Sequence, residues 1–229
     1  MTTETPMLRT DTAALDYYLL HGGTGDGHAA GLVVEEFVLA DDLSAPLLRS
    51  AGWTPAAGGW WSSAAFARSV RADRRLRARL TAVDRATAAA TYHRLGGGTL
   101  PAEEALRDQF HDDLPLSSGA PLRLGTGPDV HRVLFAGELD DGRLAGLSAA
   151  LRLAEGPSTT GARPGVVGTG RLRVDDTNLR WDLRRVGGAW CIDVMSEPAA
   201  GDALRRMLRR LTGLARGQGL VPATVDRLS

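Results

Sequence analysis

The stretch GVVGTGRLRVDDTNLRWDLRRVGGAWCIDVM, residues 165–195, decides the fold. Two turn-forming pairs, Asp175-Asp176 and Gly187-Gly188, divide it into three segments in which apolar and polar residues alternate, the period of a strand with one buried face. Adjacent glycines supply the positive φ that a primed hairpin turn requires. With Gly187-Gly188 at the centre of such a turn, Val186 faces Ala189, Arg185 faces Trp190, Leu183 faces Ile192 and Trp181 faces Val194. With Asp175-Asp176 at the other turn, Val174 faces Thr177, Leu172 faces Leu179 and Gly170 faces Trp181, where the missing side chain leaves room for the indole. The two turns independently put Leu172, Val174, Leu179, Trp181, Leu183, Ile192 and Val194 on one face, and a slip of one residue at either turn would break that agreement. The expected unit is a three-strand antiparallel meander.

Its other face carries Arg171, Arg173, Asn178, Arg180, Asp182, Arg184, Cys191 and Asp193. Here Arg171 lies opposite Arg180 and Asp182 opposite Asp193. Like charges in direct opposition cost stability unless diagonal neighbours compensate, and Arg180 and Arg184 are placed to do so for the two aspartates. The face reads first as a solvated charged surface, since exposed ion pairs are common and weak. The functional reading is an anion or substrate site.

Composition narrows the chemistry. The chain has 229 residues and a formal charge of zero, with 43% hydrophobic and 24% charged residues, which suits one large or two small globular domains. No global field favours nucleic acid or a membrane. Its 27 basic residues are all arginine, so a Schiff-base lysine, a lysine general base and a P-loop lysine are excluded. This bias suggests a GC-rich bacterial genome. Cys191 is the only cysteine, which rules out an internal disulfide and a cysteine metal cluster. The opening MTTETPMLRTDTAALDYYLL lacks a basic region followed by a long apolar run, and cytoplasmic residence is the default expectation.

Along the chain, residues 16–20 and 31–40 read as two strands joined by a glycine-rich loop holding His21, Asp26 and His28. Those three could hold a metal and the glycines a phosphate, but the spacing matches no metal motif and no helix follows to receive an anion. The expectation is a hairpin loop without metal or cofactor. Leu43, Leu47 and Leu48 suggest a short helix, and Trp53, Trp60 and Trp61 beside it suggest clamps on a core. Residues 62–110 read as helical, with Ser62 or Ser63, Asp73 and Asp84 as caps, Gly96-Gly97-Gly98 as a stop, and Pro101 with Glu103 and Glu104 opening a further helix. Residues 112–129 form a linker, the best boundary between an N-terminal region, 1–115, and a C-terminal region, 116–229. A strand at 130–139, a helix at about 142–154 and the meander follow. The last helix, near 201–216, shows one apolar stripe of Leu204, Met207, Leu208, Leu211, Leu214 and Ala215. Its opposite side carries Arg205, Arg206, Arg209, Arg210 and Arg216.

The fold class is therefore α+β: a meander sheet packed by helices in the second half, and a strand pair plus a helical segment in the first. Strand, helix and meander in the second half are similar in element order to the cone-shaped folds of the NTF2-like kind, although the basic helix after the last strand departs from that order. The leading functional reading is a non-catalytic binding or assembly component that meets an acidic protein partner through Arg205, Arg206, Arg209, Arg210, Arg171, Arg180 and Arg184. The rival is a small-molecule binder or enzyme with a pocket between the meander and its helices, Asp182 and Asp193 serving as polar groups. A third is nucleic-acid binding.

Overall fold

A continuous run of large apolar residues, Tyr17 to Leu20, carries β1 (Asp16–His21), and the Leu32–Val34 run carries β2 (Ala29–Val38). The computed structural model, which describes residues 14–23, 27–116, 129–155, 164–197 and 201–228, pairs them antiparallel with Tyr18 opposite Val33. Leu32, Val33 and Val34 are all fully enclosed, because this sheet is covered on both faces. β3 (Leu47–Thr54) and β4 (Gly59–Ser62) extend it beyond β2, β5 (Leu80–Val83) extends it beyond β1, and β6 (Asp113–Pro115) pairs with β3. The strand pair read from the sequence is thus the centre of a six-stranded sheet.

Two local expectations are corrected. The helix expected around Leu43, Leu47 and Leu48 is absent: Pro46 interrupts it, and Leu47 and Leu48 open β3, where Leu48 packs on Ala67 and Leu114. The helical reading of 62–110 also missed β5. That segment holds α1 (Ala64–Ala72), α2 (Arg74–Arg77), α3 (Arg85–Arg94) and α4 (Glu103–Arg107), and β5 lies between α2 and α3. Four residues are too few for a strand period to show. The caps do form: Asp73 Oδ1 accepts from the Arg75 N–H at 2.7 Å, and Asp84 Oδ1 from the Thr87 N–H at 2.7 Å. Ser63 stands at the N-cap of α1, its carbonyl accepting from the Ala67 N–H at 2.7 Å, but its hydroxyl turns to Ser50 rather than capping the helix.

Helix α1 covers one face of the sheet, with Phe66 on Tyr18, Leu20 and Val33, while α3 and α4 cover the other through Ala88, Tyr92 and Leu106. The tryptophans clamp these helices. Trp53 and Trp60 sit 4.5 and 5.8 Å from Tyr92 between ring centres, and Trp61 meets Phe66 edge-on.

The second sheet runs β12 (Val221–Leu228), β7 (Val130–Ala136), β11 (Ala189–Glu197), β10 (Thr177–Val186), β9 (Val166–Val174) and β8 (Ala154–Glu155). The meander has the register derived from its turns: Leu183 faces Ile192, Trp181 faces Val194, Leu172 faces Leu179 and Gly170 faces Trp181. Trp181 is 5% exposed, and its indole N–H donates to the Leu151 carbonyl at 3.1 Å. Above the meander lie α5 (Asp141–Ala150) and α6 (Gly201–Gly217), whose Leu147, Leu204, Met207, Leu208 and Leu211 close one core with Leu179, Trp181, Leu183 and Ile192. After α6 the chain returns as β12 beside β7, a strand the sequence reading did not include. Pro222 fits there because β12 is an edge strand with a bulge after it.

The two halves meet along α6 and β12. Arg216, expected on the open side of α6, is 9% exposed: it donates to Tyr18 Oη at 2.9 Å, Asp16 Oδ1 at 2.6 Å and the Tyr17 carbonyl at 3.0 Å, and its guanidinium lies 4.5 Å from the Tyr18 ring centre. Arg71 of α1 pairs with Glu35 of β2 at 2.9 and 3.1 Å while its Nε donates to the Pro222 carbonyl of β12 at 2.8 Å.

Two stability changes follow. A Cβ at Gly170 would stand 2.2 Å from the Trp181 indole, so Gly170→Ala should lose about 1 to 3 kcal/mol in urea unfolding, the cost of overfilling a core. Arg216→Met should lose roughly 3 kcal/mol, the low end for breaking a buried pair, because Asp16 keeps 27% of its side chain exposed. An unchanged midpoint in either variant contradicts the corresponding contact.

Candidate functional site

The charged face of the meander continues across the second sheet. Asp226, Arg132, Asp193, Asp182 and Thr169 stand in one row, each directly opposite the next on β12, β7, β11, β10 and β9. Asp193 is fully buried and receives Arg132 Nε and Nη2 at 2.7 and 2.8 Å and Arg184 Nη1 at 2.7 Å. Burial alone would raise its pKa, but the hydrogen bonds from Arg132 and Arg184 outweigh burial and hold the carboxyl below the usual range. Asp182 accepts from Thr169 Oγ1 at 2.7 Å and from Arg180 at 3.3 Å. The compensation expected of Arg180 and Arg184 is present. The row's centre, however, is not solvated, and Arg184, 8% exposed, is no surface residue. Arg132 was missed, because which face it takes depends on how β7 pairs with β11.

Asp182 and Asp193 point away from α5 and α6, and therefore away from the space between the meander and its helices. That space, bounded by Leu151, Trp181, Met207 and Leu211, measures about 40 Å³, room for about one or two waters. Burial, followed by the neighbouring Asp193, pushes the Cys191 thiol up to about 11, so it is no ready thiolate. The His21 ring nitrogens meet the Gly27 carbonyl at 3.2 Å and Thr81 Oγ1 at 2.9 Å; Asp26 lies outside the described residues. Glu103, at the start of α4, accepts from the Tyr17 hydroxyl at 3.0 Å.

The arginines of α6 behave differently. Arg206, Arg209 and Arg210 are exposed and make no ion pair among the described residues. Arg205 is half-buried, its Nε enclosed without a hydrogen-bond partner. Arg171 is exposed on the meander, and Arg180 is partly so. Beside α6 lies a cleft of about 90 Å³ with Phe37, Leu208 and Val225 among its apolar walls and Arg205 and Arg209 at its rim. Three carboxylates also border it, but each has its own arginine: Asp16 has Arg216, Glu35 has Arg71 and Glu36 has Arg107. The charge left over at the cleft is therefore cationic. Its volume suits a single side chain, well short of the ~300 to 1,000 Å³ of a small-molecule site.

No helix among the described residues is long and apolar enough to cross a membrane. No family model matches the chain, and no curated protein and no solved structure matches it. The NTF2-like element order thus gains no structural counterpart.

The buried row gives a pH signature. Because the Asp193 carboxyl is depressed in the folded state, its contribution is present above the unfolded pKa of about 3.9 and is lost as pH falls through the lower folded value. Asp193→Asn should cost roughly 3 to 5 kcal/mol at neutral pH by leaving Arg132 and Arg184 facing a neutral group. It should also flatten the acid limb of stability against pH. A variant whose acid limb matches the parent would show that Asp193 is not the linked group.

Proposed function

We propose that this protein is a binding component that engages an acidic protein partner through the outer face of α6. The observation that carries this reading is the contrast along one helix. Arg216 is spent on the fold, whereas Arg206, Arg209 and Arg210 are exposed and form no ion pair among the described residues, Arg209 acting on Asp16 only through its field. Uncompensated like charges on a rigid helix raise the local potential, speed encounter with an anionic surface and select partners by charge. The adjoining cleft strengthens the reading, since an apolar socket of one side chain's volume beside free cations matches a partner that offers an apolar anchor flanked by acids. Arg171 and Arg180 belong to a different face, and they are a second, weaker candidate for contact.

A labelled poly-glutamate peptide provides the test. The triple variant Arg206→Glu, Arg209→Glu and Arg210→Glu should keep its thermal midpoint, since exposed charges contribute roughly 0 to 1 kcal/mol each. Its affinity for the peptide should fall by about tenfold or more, an effect that shrinks with added salt. Arg205 is left intact because it is half-buried. Equal binding by parent and triple variant at low salt would remove the support for this face, and tighter binding of a DNA duplex than of the peptide would move the reading to nucleic acid.

A further inference from the structure

An open sheet edge lies at β5. That strand is the outermost of the first sheet, and among the described residues it pairs with β1 alone, Leu80 to Val83 matching Leu20 to Tyr17. In an antiparallel pair alternate residues direct their N–H and C=O groups toward the neighbour, so the remaining groups of β5 point out of the sheet. They point toward a groove of about 440 Å³ between the halves. Leu80, Thr81 and Ala82 all line this groove. Consecutive strand residues project to opposite faces, and here Leu80 and Ala82 turn in toward Tyr18 and Phe66 while Thr81 meets His21. Three in succession therefore line one groove through the edge of the strand.

The facing wall holds Gly137 after β7, Gly217 at the end of α6, and Gln218 and Gly219 in the turn to β12. Nothing lies within 4 Å of where a Cβ on Gly217 would stand, so another main chain can approach closely there, whereas Leu220 packs on Gly137 and Arg143 on Gly219. The rim is basic. Arg74, Arg77 and Arg143 line it against a single carboxylate, Glu138, and the groove's fourth arginine, Arg216, is already paired with Asp16. Arg77 is fixed in place by the Val70 and Arg71 carbonyls at 2.9 and 3.0 Å. Arg74 and Arg143 sit in solvent, and their pairs with Glu138 and Asp140 at 3.3 and 3.6 Å are exposed and readily exchanged.

The geometry points to an extended acidic peptide as the occupant, added to the first sheet as a strand beside β5 with its carboxylates on Arg74 and Arg143. Main-chain hydrogen bonds to the edge supply affinity and the cationic rim supplies selection, the mode known as β-strand addition. A basic peptide is disfavoured by like charge. This site is separate from the outer face of α6 and does not depend on it.

The probe is a synthetic peptide of alternating glutamate and valine, compared with the same peptide carrying N-methylated amides. Hydrogen exchange should show slowed exchange at residues 80–83 when the first peptide is added, and no slowing with the second, which cannot complete the ladder. Arg74→Glu with Arg143→Glu should weaken binding by about tenfold or more. The α6 triple variant should bind this peptide like the parent, which separates the two surfaces. Unchanged exchange at 80–83, or equal binding of the N-methylated peptide, overturns the proposal. So does a peptide-free dimer in ultracentrifugation with 80–83 already protected, which would make a second copy of the chain the occupant.

Discussion

The guanidinium of Arg216 is the tie between the two halves of the chain that also settles a charge conflict inside the first sheet. Asp16 and Glu35 stand directly opposite each other on β1 and β2, two carboxylates in cross-strand contact and largely removed from water. Burial pushes the Asp16 carboxyl up and Glu35 adds to the push, with Arg216 opposing both. Such a pair is sustainable only if each acid has its own cation with good hydrogen bonds. Arg71 serves Glu35 from α1, but Arg216 comes from the far end of the chain, 200 residues from Asp16. Docking α6 on the first sheet therefore satisfies the charge on β1. Tyr18 completes the site by accepting a hydrogen bond and offering its ring to the cation.

The same rule organises the outer face of the second sheet. Asp182 opposite Asp193 would be costly alone, yet three arginines reach the two acids from two strands, β7 and β10. Pairs of this kind add little net stability over an apolar core, but they penalise misregistration heavily. A slip of one residue would leave Asp193 buried without Arg132 and Arg184. Glycine opposite tryptophan at Gly170 and Trp181 imposes the same register from the other face, by volume rather than charge.

Legibility in the sequence followed the range of the interaction. The meander could be read because its register depends on turns of adjacent residues, and the caps at Asp73 and Asp84 because each acts within three residues. β5 and β12 escaped for a different reason, since β5 has four residues, β12 carries a bulge and each pairs with a strand far away in sequence, while β3, beside β2, opens on leucines that with Leu43 also fit a helix. Leu47 and Leu48 have helical spacing, and only Pro46 argues against a helix. The site divides in the same way. The basic side of α6 was visible from periodicity, but nothing local distinguishes Arg216 from Arg209, since the difference is the arrival of β1. Arg132, Glu35 and the groove at β5 exist only through non-local pairing.

That distinction bears on how a chain with 27 acidic and 27 basic residues can carry binding surfaces at all. Zero net charge says that the totals balance, and it leaves open where they balance. At Asp16, Glu35, Glu36 and Asp193 the balance is struck in the interior, each acid held by arginines at hydrogen-bonding distance. Arginine suits this role because its planar fork binds a carboxylate with two parallel bonds and stays charged when buried. These acids use at least as many arginines as there are acids, since Asp193 alone takes Arg132 and Arg184. The cationic patches therefore come from the uneven spread of the charges that remain: the outer face of α6 is one such place, and the rim beside β5, with its weakly held surface pairs, is another. The positive potential at both surfaces is thus a local property set by where these arginines fall, and the anionic partner proposed for each would balance it.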